Sequence, residues 1–120
     1  MSSDLHTPLR TLVDQDDAVA GVIFADLDGQ AIALYPDTLS ESLGHCAVFS
    51  GIALRRLTVA ERLAGRAVVR ELKLEGSEGA MTATVVSDQN QLVVLHKGAG
   101  MNARSAPRIR AVVDQLQTLT

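Results

Sequence analysis

Residues 40–65 read SESLGHCAVFSGIALRRLTVAERLAG, and the spacing of their apolar side chains decides the architecture. At about 100° per residue, Leu39, Leu43, Ala47, Leu54 and Leu57 fall on one side of a single long helix, while Val48, Ile52, Val59 and Leu63 fall nearly opposite. One stripe packs on the protein's own sheet. The second needs its own cover, either a further layer of the same chain or a partner. Ser40 and Glu41 mark the helix start, and Gly65 is a suitable left-handed cap at its end.

The flanking segments supply the sheet. Residues 19–25 form a nearly continuous apolar run, as expected for a central strand buried on both faces. Asp26-Leu27-Asp28-Gly29 provides turn chemistry before a second strand over residues 30–35, which Pro36 and Asp37 end. Beyond the long helix, residues 67–75 alternate, with Val68, Leu72 and Leu74 on one face and Glu71, Lys73 and Glu75 on the other, the pattern of an edge strand. Turns at residues 76–79 and 87–90 bracket a strand over 80–86, and residues 92–96 form a second central strand. At the start of the chain, Thr7 and Pro8 suit a cap and first turn, Leu5, Leu9, Leu12 and Val13 share a helical face, and the acidic cluster 14–17 closes that helix. A last helix carries Ala106, Ile109, Val113 and Leu116 on one stripe, with Pro107 in its first turn or at a kink.

Composition narrows the function. A chain of 120 residues suits one domain with one modest core. It is 47% hydrophobic, yet no apolar run approaches the roughly 18 residues that span a bilayer, and the polar start lacks a basic-then-apolar leader; a soluble cytoplasmic protein is expected. A net charge of −3 and 2% aromatic content disfavour nucleic acid. Cys46 is the only cysteine, which excludes an internal disulfide and thiol-rich metal sites and fits a reducing compartment.

Candidates for chemistry are few. His6, His45 and His96 occupy three different elements without ligand spacing, so no metal is expected. Asp26 and Asp28 lack the further oxygen ligands of a calcium loop and are explained by the turn. Gly98-Ala99-Gly100 precedes a helix without a phosphate-loop or dinucleotide pattern. Ser50 lies mid-helix without a strand-to-helix elbow, and Cys46 and His45, adjacent on a helix, point apart, so neither is a nucleophile. Neither an enzyme nor a cofactor is expected.

The order helix, two strands, long helix, three strands, helix, together with VAGVIFADLDG at residues 19–29 and the small residues Ser50-Gly51-Ile52-Ala53, resembles the Roadblock dynein light-chain family over nearly the whole chain. The resemblance implies an α+β, profilin-like three-layer sandwich. In it a five-stranded, mostly antiparallel sheet carries the long helix on one face and the terminal helices on the other. It further implies a homodimer in which residues 67–75 pair with their symmetry mate and the two long helices pack side by side, placing Val48, Ile52, Val59, Leu63, Val69, Glu71 and Lys73 at the interface. Each of the four helical residues contributes roughly 1.5–3 kcal/mol if fully buried, before association entropy is subtracted. Members of this kind regulate or scaffold small GTPases of the Ras-like or bacterial polarity type. Such work needs no catalytic groups in this chain, because a partner that orders the GTPase's switch segments changes its nucleotide cycle by differential binding. Arg55, Arg56 and Arg62, on the less apolar flank of the helix, suit an acidic switch surface, or a solvated face beside Glu61. The preference for Arg over Lys and the many alanines point to a bacterial source. The alternative is a profilin-like sensor that encloses a small ligand, which calls for a sizeable cavity between sheet and helices.

Overall fold

The computed structural model describes residues 4–65, 69–77, 79–98 and 104–120. Its elements are α1 (His6–Gln15), β1 (Val19–Asp26), β2 (Ala31–Tyr35), a short 3-10 turn (Asp37–Leu39), α2 (Ser40–Leu63), β3 (Glu71–Glu75), β4 (Gly79–Ser87), β5 (Asn90–Lys97) and α3 (Ser105–Leu119). The five strands form one sheet in the order β2-β1-β5-β4-β3, and every neighbouring pair is antiparallel. The predicted three-layer sandwich is therefore observed.

Alternation along β1 sorts the core into two halves. Val22 and Phe24 face α1 and α3, joining Leu9, Leu12, Leu92, Val94, Ile109, Val113 and Leu116. Ile23 and Ala25 face α2, joining Leu43, Ala47, Leu54, Met81, Ala83 and Val93. A strand that feeds both halves has no polar face, which is why residues 19–25 read as a continuous apolar run. Gly21 leaves room on the α2 side for Leu39 and Leu43, whose methyl groups would lie 3.1 and 3.3 Å from a Cβ there.

Several boundaries differ from the sequence reading. Thr7 is not the cap of α1: Asp4 Oδ1 accepts the His6 and Thr7 N–H groups at 3.1 Å each, and the Thr7 hydroxyl donates to the same carboxylate. Leu39 belongs to the 3-10 turn, half-buried against the α2-side core. The edge strand begins at Glu71, not at residue 67; Ala67 and Val68 lie outside the described residues, and Val69 precedes the strand. On α3 the buried stripe is Ser105, Ile109, Val112, Val113 and Leu116, whereas Ala106 is exposed, because a cleft opens where that residue was expected to meet the sheet. Pro107 sits in the first turn, where its missing N–H is harmless. Gly65, at φ 74°, ends the long helix as expected, with its N–H donating to the Arg62 carbonyl.

Asp16 clasps α1 to α3. Its Oδ1 accepts the Ala18 N–H at 2.9 Å, and Oδ2 lies 3.3 Å from Arg108 Nη1. Burial works to raise this carboxyl, but the Ser105 hydroxyl, the Ala18 N–H and the Arg108 guanidinium outweigh it and hold it below its ordinary value of 3.8.

Two outcomes follow for stability. A carboxyl with a lowered folded-state pKa stabilises fully above 3.8 and stops doing so as pH falls through its folded value. Asp16→Asn is thus expected to lower the unfolding free energy by about 1 kcal/mol at neutral pH, with the difference from wild type shrinking in urea titrations as pH falls below 3.8 and through the lowered folded-state value. Within α2, a Cβ on Gly51 would fall on the Leu27 carbonyl oxygen, whereas one on Gly44 meets nothing within 4 Å. Gly51→Ala should destabilise by about 1–3 kcal/mol and Gly44→Ala should stabilise by up to about 1 kcal/mol, read in the same titration.

Candidate functional site

The β1–β2 turn positions the outer face of α2. Asp26 Oδ1 accepts the Asp28 and Gln30 N–H groups at 2.9 Å each, and Gly29 takes φ 91°, so the turn reading of this segment holds. The turn lies directly on α2: a Cβ on Gly29 would come within 2.9 Å of the Val48 nitrogen, and Gly51 admits the Leu27 carbonyl. Beneath this contact the fully buried Gln91 donates from Nε2 to the Ala47 carbonyl at 2.9 Å and the Asp26 carbonyl at 3.1 Å, while the Ser50 hydroxyl donates to its Oε1 at 2.6 Å. Helix, turn and central strand thus meet at one amide. Sequence reasoning missed Gln91; its only signal was a polar residue opening an otherwise apolar strand.

Anchored in this way, α2 turns an apolar face to solvent. Val48, Ile52, Val59 and Leu63 are all exposed, Leu63 to 85%, and Phe49 joins them at 54%. Phe49 escaped the sequence reading, although helical spacing places it beside Ile52. Leu57, expected on the sheet-facing stripe, is exposed instead: no residue of α2 after Leu54 is buried, so the helical phase no longer decides burial there. Arg56 and Arg62 are exposed on opposite flanks of this face. Arg55 is held by the turn, its Nη1 lying 2.6 Å from Asp28 Oδ1.

On the edge strand, Glu71 and Lys73 are exposed and paired with each other at 3.3 Å, and the strand's free edge has no neighbour among the described residues. Val69 is half-buried against the α2-side core.

The remaining candidates are placed as follows. His6 and His45 are exposed, whereas His96 is buried and its Nε2 is hydrogen-bonded to Thr82 Oγ1 at 2.9 Å. Burial pushes the His96 pKa down, nearby Lys73 adds to this, and Asp16 opposes it. Cys46 is half-buried and burial pushes its thiol up, away from nucleophilic range. Among the described residues no group of three His, Cys, Asp or Glu side chains converges on a point that could hold a metal, and no helix is long and apolar enough to cross a membrane. Ala99 and Gly100 lie outside the described residues. A cleft of about 290 Å³ does separate α3 from β3, β4 and the end of β5.

No family model and no curated protein matches the chain. Solved structures do. MglB of Myxococcus xanthus superposes with a TM-score of 0.82 at 19% identity, over 96% of this chain and 93% of that one. A Roadblock/LC7 domain from Streptomyces avermitilis gives 0.82 at 18% identity, over 97% of each chain. Profilin IA of Acanthamoeba castellanii follows at 0.61 and 15% identity, over 96% of this chain and 98% of that one. These similarities, over nearly the whole chain, give it the fold shared by Roadblock/LC7 domains and MglB.

Proposed function

We propose that this chain is a homodimeric, non-enzymatic regulator or scaffold that binds a small GTPase of the Ras-like or bacterial polarity type. The observation that carries the reading is the exposed stripe Val48, Phe49, Ile52, Val59 and Leu63 on a helix whose opposite side is already packed. A single exposed leucine is ordinary, but five large apolar side chains in one helical row mark an interaction surface. Four of the five are only 44–56% exposed, so covering each adds about half of the roughly 1.5–3 kcal/mol of a fully exposed side chain, and it takes the two copies of the stripe in a symmetric pair to reach the scale of an association entropy of about 4–15 kcal/mol.

Two-fold pairing through α2 and β3 covers this stripe and the free strand edge in one step, with Val69, Glu71 and Lys73 along the seam. One similar structure is described as MglB with a tetrameric arrangement, in keeping with assembly through this fold. Arg56 and Arg62 border the paired helices and offer positive charge to an acidic switch segment, while Arg55 reaches that surface by exchanging its Asp28 partner. Action on the GTPase follows from binding one switch conformation better than the other.

Light scattering on wild type should give the mass of two chains, and Ile52→Glu should give one, because a charge in a dry contact costs several kcal/mol. A wild-type monomer would remove the homodimer. For the partner, GTP hydrolysis and nucleotide release by candidate small GTPases of the source organism should change when the protein is added, and a double variant, Arg56→Glu with Arg62→Glu, should weaken binding about tenfold or more in a pull-down while leaving the dimer mass unchanged. Absence of binding to every such GTPase would overturn the reading.

A further inference from the structure

The α1/α3 side of the sheet is apolar at β1 and β5 but polar at β3 and β4. At positions where Val22, Phe24, Leu92 and Val94 form a dry layer with the helices, the register brings Thr82 beside Lys73 and Thr84 beside Glu71. The helix above does not close on this half. Ile109 and Val113 of α3 form an apolar wall, Arg110 stands at its exposed margin, and the space between is the cleft of about 290 Å³. His96 lines the same cleft, 4% exposed, with Nε2 taken by Thr82 and Nδ1 without a hydrogen-bond partner.

We infer that this cleft binds a small organic anion, a carboxylate or phosphate ester on a short apolar body. Charge selects the anion: among the described residues the lining holds two cations, Lys73 and Arg110, against one carboxylate, Glu71, in a protein whose net charge is −3. Lys73 is already matched by Glu71 at 3.3 Å, so the guanidinium of Arg110, with no carboxylate partner among the described residues, is the group left to meet the ligand's charge, in the fork geometry that suits carboxylate and phosphate. The hydroxyls of Thr82 and Thr84 sit on the floor beneath it. Size selects the body: about 290 Å³ accommodates on the order of ten water-sized groups, far more than a bare phosphate, and falls at the lower end of small-molecule pockets. The wall of Ile109 and Val113 gives the body an apolar surface to cover. This site lies on the sheet face away from α2 and does not depend on the GTPase reading.

The test is a titration of the full chain, followed by the backbone amide signals in NMR, with hexanoate and with phenyl phosphate, and with hexanol and hexylamine as uncharged and cationic controls. Saturable shifts confined to β3, β4, the end of β5 and α3 with either anion, absent with both controls, are expected. Hexanoate alone or phenyl phosphate alone assigns the head group. Arg110→Ala should weaken the anion about tenfold or more, and Ala106→Trp, which places an indole at the exposed margin of the cleft, should abolish binding; circular dichroism reports whether each variant is folded, and Arg110→Ala, an exposed change, carries the test if the tryptophan variant is not. Shifts that do not saturate, that hexylamine or hexanol reproduces, or that persist unchanged in Arg110→Ala overturn the proposal. So does a wild-type dimer with a silent cleft, since a second copy would then cover the opening. A monomer that binds the anion leaves this inference standing while removing the homodimer.

Discussion

One buried amide holds the functional face in place. Gln91 sits at the start of the central strand with no exposure, and its side chain bonds to the Ala47 carbonyl, the Asp26 carbonyl and the Ser50 hydroxyl. A buried polar group that lost one of these partners would be left with a desolvated donor or acceptor at a penalty of about 1–3 kcal/mol, so the set tolerates only one placement of helix, strand and turn. Gly51 belongs to the same constraint, because the Leu27 carbonyl occupies the volume any side chain there would need.

The orientation of α2 follows. With Leu43, Ala47, Ser50 and Leu54 turned to the sheet, the helical period sends Val48, Ile52, Val59 and Leu63 outward whatever else the chain does. The strands beneath cannot cover them, and the terminal helices are committed to the opposite side of the sheet by Leu9, Leu12, Ile109 and Leu116. The apolar outer face is therefore a consequence of how the inner face is anchored. The Arg55–Asp28 pair extends that anchoring to the surface, although with both groups more than half exposed it adds little to stability.

The two sides of the sheet are used differently. On the α2 side the side chains of β3, β4 and β5 are apolar enough to continue the core, with Leu72, Met81, Ala83 and Val93 in one cluster. On the other side the same strands carry Lys73, Thr82, Thr84 and His96, and α3 stands off them. Thr82 is buried there and satisfied by His96 Nε2 at 2.9 Å, whereas covering the half-buried Thr84 and the charged Lys73 with an aliphatic helix would desolvate polar groups, which favours a cleft at this end of the sheet.

Much of this was readable from residue order. Period-two alternation, the Asp-Leu-Asp-Gly turn, the glycine at position 65 and the two stripes of the long helix are local signals, each set by backbone geometry within a few residues, and they sufficed for the element order, the edge position of β3 and the outward direction of Val48, Ile52, Val59 and Leu63. Other features depend on groups far apart in sequence. Leu57 has the right phase to be buried but lies where the sheet no longer covers the helix; Phe49 joins the exposed face because nothing packs over it; Ala106 yields its buried place to Ser105 because a cleft opens beneath it. The partnership of Gln91 with Ala47 spans 44 residues, and no local period announces a hydrogen bond of that range. Local patterning determined which side chains turn which way, and the tertiary structure alone decided what each then meets, because contact requires distant segments to arrive at the same place.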